Sequence, residues 1–232
     1  EEQLEAGIGD QGVGIGEVFS TSPVDKAKDA WLARTVSQSG GNLGRQRDRL
    51  FEMAGVLRHH LVLDVNAGGG LLTWEAVRRA PEGGVWAFTA DEKRGEALRQ
   101  MADQMSELER PFILIGSLSE LDYLLELRGE ANIKFDHIIG RNLKTGALAI
   151  GDWQVLIGKL RGRLGENGRL SLIQSIPRHT QRLYKLIDWT GHEALGEQVA
   201  IAEEAIYHDA DDPLVNWNER DLGENVQIER QT

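Results

Sequence analysis

The sequence predicts an α/β domain, a mainly parallel sheet doubly wound by helices on both faces. Three observations predict it. Short apolar-rich runs recur at Leu61–Asn66, Val85–Ala90, Pro111–Gly116, Phe135–Gly140 and Arg169–Ile176, as expected of strands covered on both faces. Helix-length segments separate them, so the strands are joined by crossovers and not by hairpins. Three glycines, Gly68-Gly69-Gly70, directly follow the first run and precede a helical segment. Strand, glycine turn and helix together leave backbone N–H groups bare at a helix N-terminus, where a ligand can rest.

Taken in order, residues 1–44 lack periodicity and hold glycine in clusters, predicting a flexible lead-in with a short helix at Asp25–Thr35. Gly7-Ile-Gly9-Asp-Gln-Gly12 matches the dinucleotide fingerprint, but no strand precedes it, and Gly14 and Gly16 would break the helix it needs. Residues 45–232 form the main domain. Arg45–Leu57 is a predicted helix with Leu50, Met53, Ala54 and Leu57 on one face. Leu71–Arg79 is the helix after the glycines, closed by Pro81-Glu-Gly83-Gly84. Helices are predicted at Glu92–Leu108, with Ala97, Leu98, Met101, Met105 and Leu108 inward, and at Leu118–Leu127. Asp152–Leu164 is stopped by Gly165-Glu-Asn-Gly168, and Pro177 starts a helix over Arg178–Trp189. Glu197–Tyr207 reads as helix, Asp209–Asn218 as turns and Asn225–Arg230 as a final strand.

Composition narrows the function. Apolar residues at 41% and charged residues at 27% describe a soluble globular chain. No apolar stretch reaches the ~20 residues of a membrane span and no signal peptide is visible, so a cytoplasmic protein without membrane contact is expected. With no cysteine, disulfides, thiolate nucleophiles and cysteine metal sites are excluded. A chain beginning at Glu1 and not at methionine suggests a fragment, a processed form or a single excised domain. Of the net charge of −11, −10 falls on Asp188–Thr232, which hold 12 acidic and two basic residues. Such a chain is no general nucleic-acid binder. A local basic run stands at Lys159, Arg161, Arg163, Arg169, Arg178, Arg182 and Lys185, either a solvated helix surface or a docking face.

The register puts Asp64, Asn66, Gly68, Gly69 and Gly70 at the carboxyl edge of the sheet, where ligands of such sheets bind. A P-loop is absent: Gly146 and Gly151 have the spacing, but Asp152-Trp153 follow. A dinucleotide fingerprint would need glycine where Thr73 stands. Arg141 and Asn142, ending the fourth strand, either orient a substrate carboxylate or phosphate or cap their turn. His59-His60 read as cations at a helix C-terminus and His137 as a core or edge histidine. Trp74, Trp153 and Trp189 read as packing anchors. No G-x-S-x-G elbow and no paired carboxylates stand out, no metal site is expected, and no catalytic residue is assigned.

Val62-Leu63-Asp64-Val65-Asn66-Ala67-Gly68-Gly69-Gly70, with Val85–Asp91, Phe112–Ser117, Phe135–Asn142 and Leu164–Pro177, resembles the class I S-adenosylmethionine-dependent methyltransferases. The likeness covers about residues 45–190 and implies a Rossmann-like methyltransferase-type sheet. It also implies S-adenosylmethionine as cofactor, held over Asp64, Asn66, Ala67, Gly68 and Gly70, with Thr89 and Asp91 toward the ribose and Ser117 toward the adenine. Arg141 and Asn142 would face the substrate. The chain departs from the family where Asn66 replaces the first motif glycine and Thr89 replaces the ribose-binding acid. Gly116-Ser117 stand where an adenine-side acid is usual, and Gly140-Arg141-Asn142-Leu143 replace the Asn/Asp-Pro-Pro-aromatic run of N-methylating members. Methyl transfer depends mostly on alignment, so a missing base does not exclude it.

A narrower likeness lies in Ala202–Asn218, which resembles a segment of bacterial, chiefly cyanobacterial, fusion proteins. In these a replication-associated recombination AAA+ ATPase precedes a methyltransferase-like domain. That resemblance implies an accessory C-terminal domain whose partners are the ATPase module of the same parent chain and, through it, DNA or replication proteins. Two functions follow: a degenerate, non-catalytic binding module, or an active methyltransferase of unknown acceptor.

Overall fold

The computed structural model describes residues 40–143, 150–212 and 214–222, with residues 150–152 by backbone alone. At the centre of its sheet lies β1 (Leu61–Asp64), with β2 (Gly84–Thr89) and then β3 (Phe112–Ile115) on one side. On the other side are β4 (Phe135–Arg141) and then β5 (Leu164–Ile173). Every pairing is parallel. The chain travels outward from β1 to β3, then returns across β1 to β4, so the strand order reverses between β1 and β4.

The described α-helices are α1 (residues 40–54), α2 (Leu71–Arg79), α3 (Glu92–Ala102), α4 (Leu121–Leu127), α5 (Ile150–Gly162) and α6 (Glu193–Tyr207). Successive strand residues face opposite ways, and Val62 and Leu63 show both destinations. Val62 packs with Leu50, Phe51, Leu72, Ala76 and Ile139 on the α1–α2 face. Leu63 packs with Trp86, Leu125, Phe135, Trp153 and Leu160 on the α4–α5 face. This is the doubly wound sheet the apolar runs predict. The chain divides into two units, Glu1–Gly44 and Arg45–Thr232, and the second carries the sheet.

Several element boundaries differ from expectation for local reasons. α1 stops at residue 54, where Gly55 turns to φ 68; α1 faces the core with Leu50, Phe51 and Ala54, while Met53 and Leu57 are exposed. α3 ends at Ala102, where the Arg110 side chain donates to the carbonyls of Asp103 and Met105; Leu108 lies beyond the helix, and both it and Met101 are exposed. β5 begins five residues early, since Leu164 already pairs with Phe135 and residues 165–168 form an irregularity before Arg169 meets His137. α6 begins four residues early, at Glu193.

The helix expected over Arg178–Trp189 does not form. Two single 3-10 turns, Pro177–His179 and Leu183–Lys185, stand there. The Glu203 carboxylate takes the Leu183 and Tyr184 N–H groups, and the Tyr184 carbonyl accepts from the Trp189 indole. Contacts from α6 thus replace the bonds a helix would make. Trp189 is accordingly a loop anchor, packed on Gly196. The helix expected at Asp25–Thr35, the strand at Asn225–Arg230 and nearly all of the lead-in lie outside the described residues.

Among the described residues, no helix is long and apolar enough to cross a membrane, and no group of three or more His, Asp or Glu is placed to hold a metal ion. The basic run does not make one face. Arg161 and Arg163 precede β5, Arg163 pairing with Asp122, whereas Arg178, Arg182 and Lys185 follow its carboxyl end. His59 and His60 follow a turn and not a helix, and the His60 Nδ1 faces the His137 Nε2 at 3.0 Å.

Candidate functional site

All the predicted site residues come to the carboxyl edge of the sheet, strung from Ser117 past Thr89 and the glycine turn to Arg141 and Asn142. The turn is pinned to both neighbouring strands. The Val65 N–H donates to Ile139 and the Ala67 N–H to Phe88, each at 2.9 Å. Gly68 and Gly70 adopt φ 54 and 86, a left-handed backbone that favours glycine. Gly69 has open space above it, and a Cβ at Gly68 would come no nearer than 3.8 Å to the Asn66 carbonyl and 4.0 Å to the Arg94 guanidinium. At Gly70 a Cβ would lie 2.2 Å from the Trp74 indole nitrogen. Trp74 therefore packs beneath the turn, and its buried indole N–H has no partner among the described residues.

Asp64 is fully buried under this turn. One carboxylate oxygen accepts the Thr73 hydroxyl at 2.8 Å and the other the Asn66 N–H at 3.3 Å. It ties the strand end to the first turn of α2, so its role is to position the turn. Burial pushes its carboxyl up to about 6, against the lowering effect of those bonds. Thr73, where a dinucleotide site would want glycine, is the partner that makes the latch.

Asn66 supplies the clearest feature of the site. Its side-chain amide donates to the Arg141 carbonyl at 2.7 Å and the Asn142 carbonyl at 3.3 Å. It thus spans the gap between β1 and β4 where the strand order reverses. Asn142, in the left-handed region at φ 53, accepts the Ser175 N–H at 2.9 Å, joining this seam to the segment after β5. The Asn142 side-chain oxygen is thus engaged by the segment after β5. Arg141 is different: its Nε is buried and has no partner among the described residues.

On the β2 side, Thr89 is buried and accepts the Asp91 N–H at 3.2 Å. Asp91 caps α3, accepting the Arg94 N–H at 3.1 Å and pairing with the Arg94 guanidinium at 3.3 Å. Asp91→Ala is expected to cost about 1 kcal/mol, the usual worth of an N-cap, measurable by urea unfolding. After β3, Ser117 is held in a capping box, with Glu120 accepting both its N–H and its hydroxyl at 2.7 Å. Those bonds hold the Glu120 carboxyl below its ordinary range. Glu120 and Arg94 escaped the sequence reading. The Ser-x-x-Glu spacing at 117–120 was the available signal for the first, and nothing local marks the second.

No protein-family model matches the chain, and no curated protein matches it in sequence. Solved structures that it resembles are methyltransferases. One is coclaurine N-methyltransferase bound to N-methylheliamine and SAH, at 19% identity and a TM-score of 0.46, over 55% of this chain and 34% of that one. Another is the glycopeptide N-methyltransferase MtfA, at 19% identity and 0.46, over 60% and 58%. A third is magnesium protoporphyrin IX methyltransferase of Synechocystis PCC 6803 with bound SAM, at 19% and 0.45, over 56% and 57%. The chain spans between about a third and three fifths of the length of these structures. The α/β assignment itself stands on the parallel sheet and its order.

Proposed function

We propose that this chain is a methyltransferase-like accessory domain, cytoplasmic, whose cofactor site is degenerate and which serves as a binding module beside an AAA+ ATPase of DNA replication or recombination repair. The observation that carries the degenerate site is the Asn66 amide bonded across β1 and β4. A ligand entering that seam must displace a bond of 2.7 Å, at a net cost of about 0.5–1.5 kcal/mol. The polar groups nearby are also spent: Asp91 on α3, Ser117 on Glu120, Thr89 on the Asp91 N–H. The ATPase context is supported by the Ala202–Asn218 resemblance alone.

A second reading, an active S-adenosylmethionine-dependent methyltransferase, is favoured by the open faces of Gly68 and Gly69 and by the Arg141 Nε, without a partner among the described residues. Arg141 could then receive a carboxylate, and the glycine turn the body of the cofactor. Calorimetric titration with S-adenosylmethionine and S-adenosylhomocysteine separates the two. The degenerate site predicts no heat at millimolar ligand for the wild type and measurable binding by Asn66→Gly. Micromolar binding by the wild type that weakens in Gly68→Ala overturns it in favour of the enzyme. The full reading frame tests the parentage: a P-loop ATPase upstream supports it, and a different neighbour sinks it.

A further inference from the structure

We propose that the cavity between the loop after β5 and α6 is a binding site for a phosphate-bearing ligand. The cavity measures about 450 Å³, within the usual size of small-ligand sites. Arg178, His179, Gln181, Arg182, Lys185 and His208 line it, with Thr180 and Glu204. This site is independent of the glycine turn and of the cofactor reading.

The wall is built, and its one carboxylate is neutralised. Arg182 is buried, with its guanidinium 3.6 Å from the centre of the Tyr207 ring. It donates to the Thr180 carbonyl at 2.8 Å and to both Glu204 oxygens at 3.1 and 3.4 Å. The Tyr184 hydroxyl donates to Glu204 as well, at 3.0 Å, and these bonds hold the Glu204 carboxyl below its ordinary range. Glu203, nearby on α6, is occupied by the Leu183 and Tyr184 N–H groups, and Glu219 accepts from His179.

Two cations at the rim have no carboxylate partner among the described residues: Arg178, whose side chain makes no bond there, and Lys185, 5.5 Å from the Tyr184 ring. In a chain of net charge −11, a polar cavity with its carboxylate neutralised and these two cations at its mouth selects for an anion. A guanidinium fork and an ammonium suit the several oxygens of a phosphoryl group. The helix expected over Arg178–Trp189 would have spread these side chains around a solvated cylinder. The two 3-10 turns gather them on one wall.

The phosphate could come from a free nucleotide or from a nucleic-acid backbone, and titration of the whole chain distinguishes them. The probes are adenosine monophosphate and a single-stranded DNA oligonucleotide, each followed in low salt by calorimetry. Binding of either probe, weakened about tenfold or more in Arg178→Gln/Lys185→Gln and unchanged in Arg161→Gln, is the expected result. Both variants alter exposed side chains that no fold contact needs. If DNA is the source, affinity also falls with salt at a slope near −0.7 per phosphate contact, while the mononucleotide binds poorly. Absence of binding by both probes at millimolar concentration, or binding equally reduced by Arg161→Gln, overturns the proposal.

Discussion

Gly70→Ala is expected to destabilise the domain by about 2–5 kcal/mol, while Gly69→Ala, one residue away, changes stability by less than about 0.5 kcal/mol. Two costs add at Gly70. An alanine held at φ 86 pays the left-handed penalty of roughly 1–2 kcal/mol. Its Cβ also meets the Trp74 indole at 2.2 Å and the Leu98 side chain at 2.9 Å, an overpacking of about 1–3 kcal/mol. At Gly69 neither cost applies. Gly68→Ala falls between them, since its φ of 54 is unfavourable but its surroundings are open.

Urea unfolding of the three variants gives the order directly. Trimming the indole in Gly70→Ala/Trp74→Leu should return the steric part only, so the pair is non-additive. Equal effects at 69 and 70 would mean that the turn does not have this backbone. The series also informs function. Gly70 is demanded by packing beneath the turn, whereas Gly68 and Gly69 have open space above them, as a ligand-facing role for those two would require.

How far the sequence reaches can be judged from particular residues. The four strands β1–β4 were legible because strands buried on both faces are written as apolar runs, and Leu71–Arg79 because glycine and proline bracket it. That Thr89, Asp91, Ser117, Arg141 and Asn142 share one edge with the glycine turn was also legible, since parallel strands put all their carboxyl ends together. What the side chains do there was not. Asn66 reaches residues 75 and 76 positions away, and no local pattern encodes such a bond. The failed helix at Arg178–Trp189 has the same origin: Pro177 offers a helix start, but Glu203 and Glu204 on α6 take its donors and draw Arg182 inward. Propensity lost to contacts distant in sequence.

Two buried ionisable groups, Asp64 and His137, should give opposite pH dependences that largely cancel in the wild type and are exposed one at a time by mutation. The His137 tautomer follows from its neighbours. The Leu57 N–H, which can only donate, points at the His60 Nδ1 at 3.0 Å, so that nitrogen is unprotonated and the His137 Nε2 must donate to it. The His137 Nδ1 is left buried with no partner among the described residues. Burial, then His60, lowers His137 from 6.5 to about 4 despite the opposing Asp136. The folded state therefore binds fewer protons than the unfolded chain between these values, and stability rises with pH across them, by about 3 kcal/mol in all. Asp64 moves from 3.8 up to about 6. Here the folded state binds more protons, and stability falls by about 3 kcal/mol as pH rises through that window. Urea unfolding at intervals from about pH 4 to pH 6.5, read as the difference from wild type at each pH, removes the exposed carboxylates common to both proteins. Relative to wild type, Asp64→Asn should gain stability steadily as pH rises, because it no longer carries the falling term. His137→Gln, which keeps a donor toward His60, should lose stability relative to wild type over the same range. Parallel profiles for all three proteins would mean that neither group is desolvated in the fold, and the latch under the glycine turn would then lie open to water.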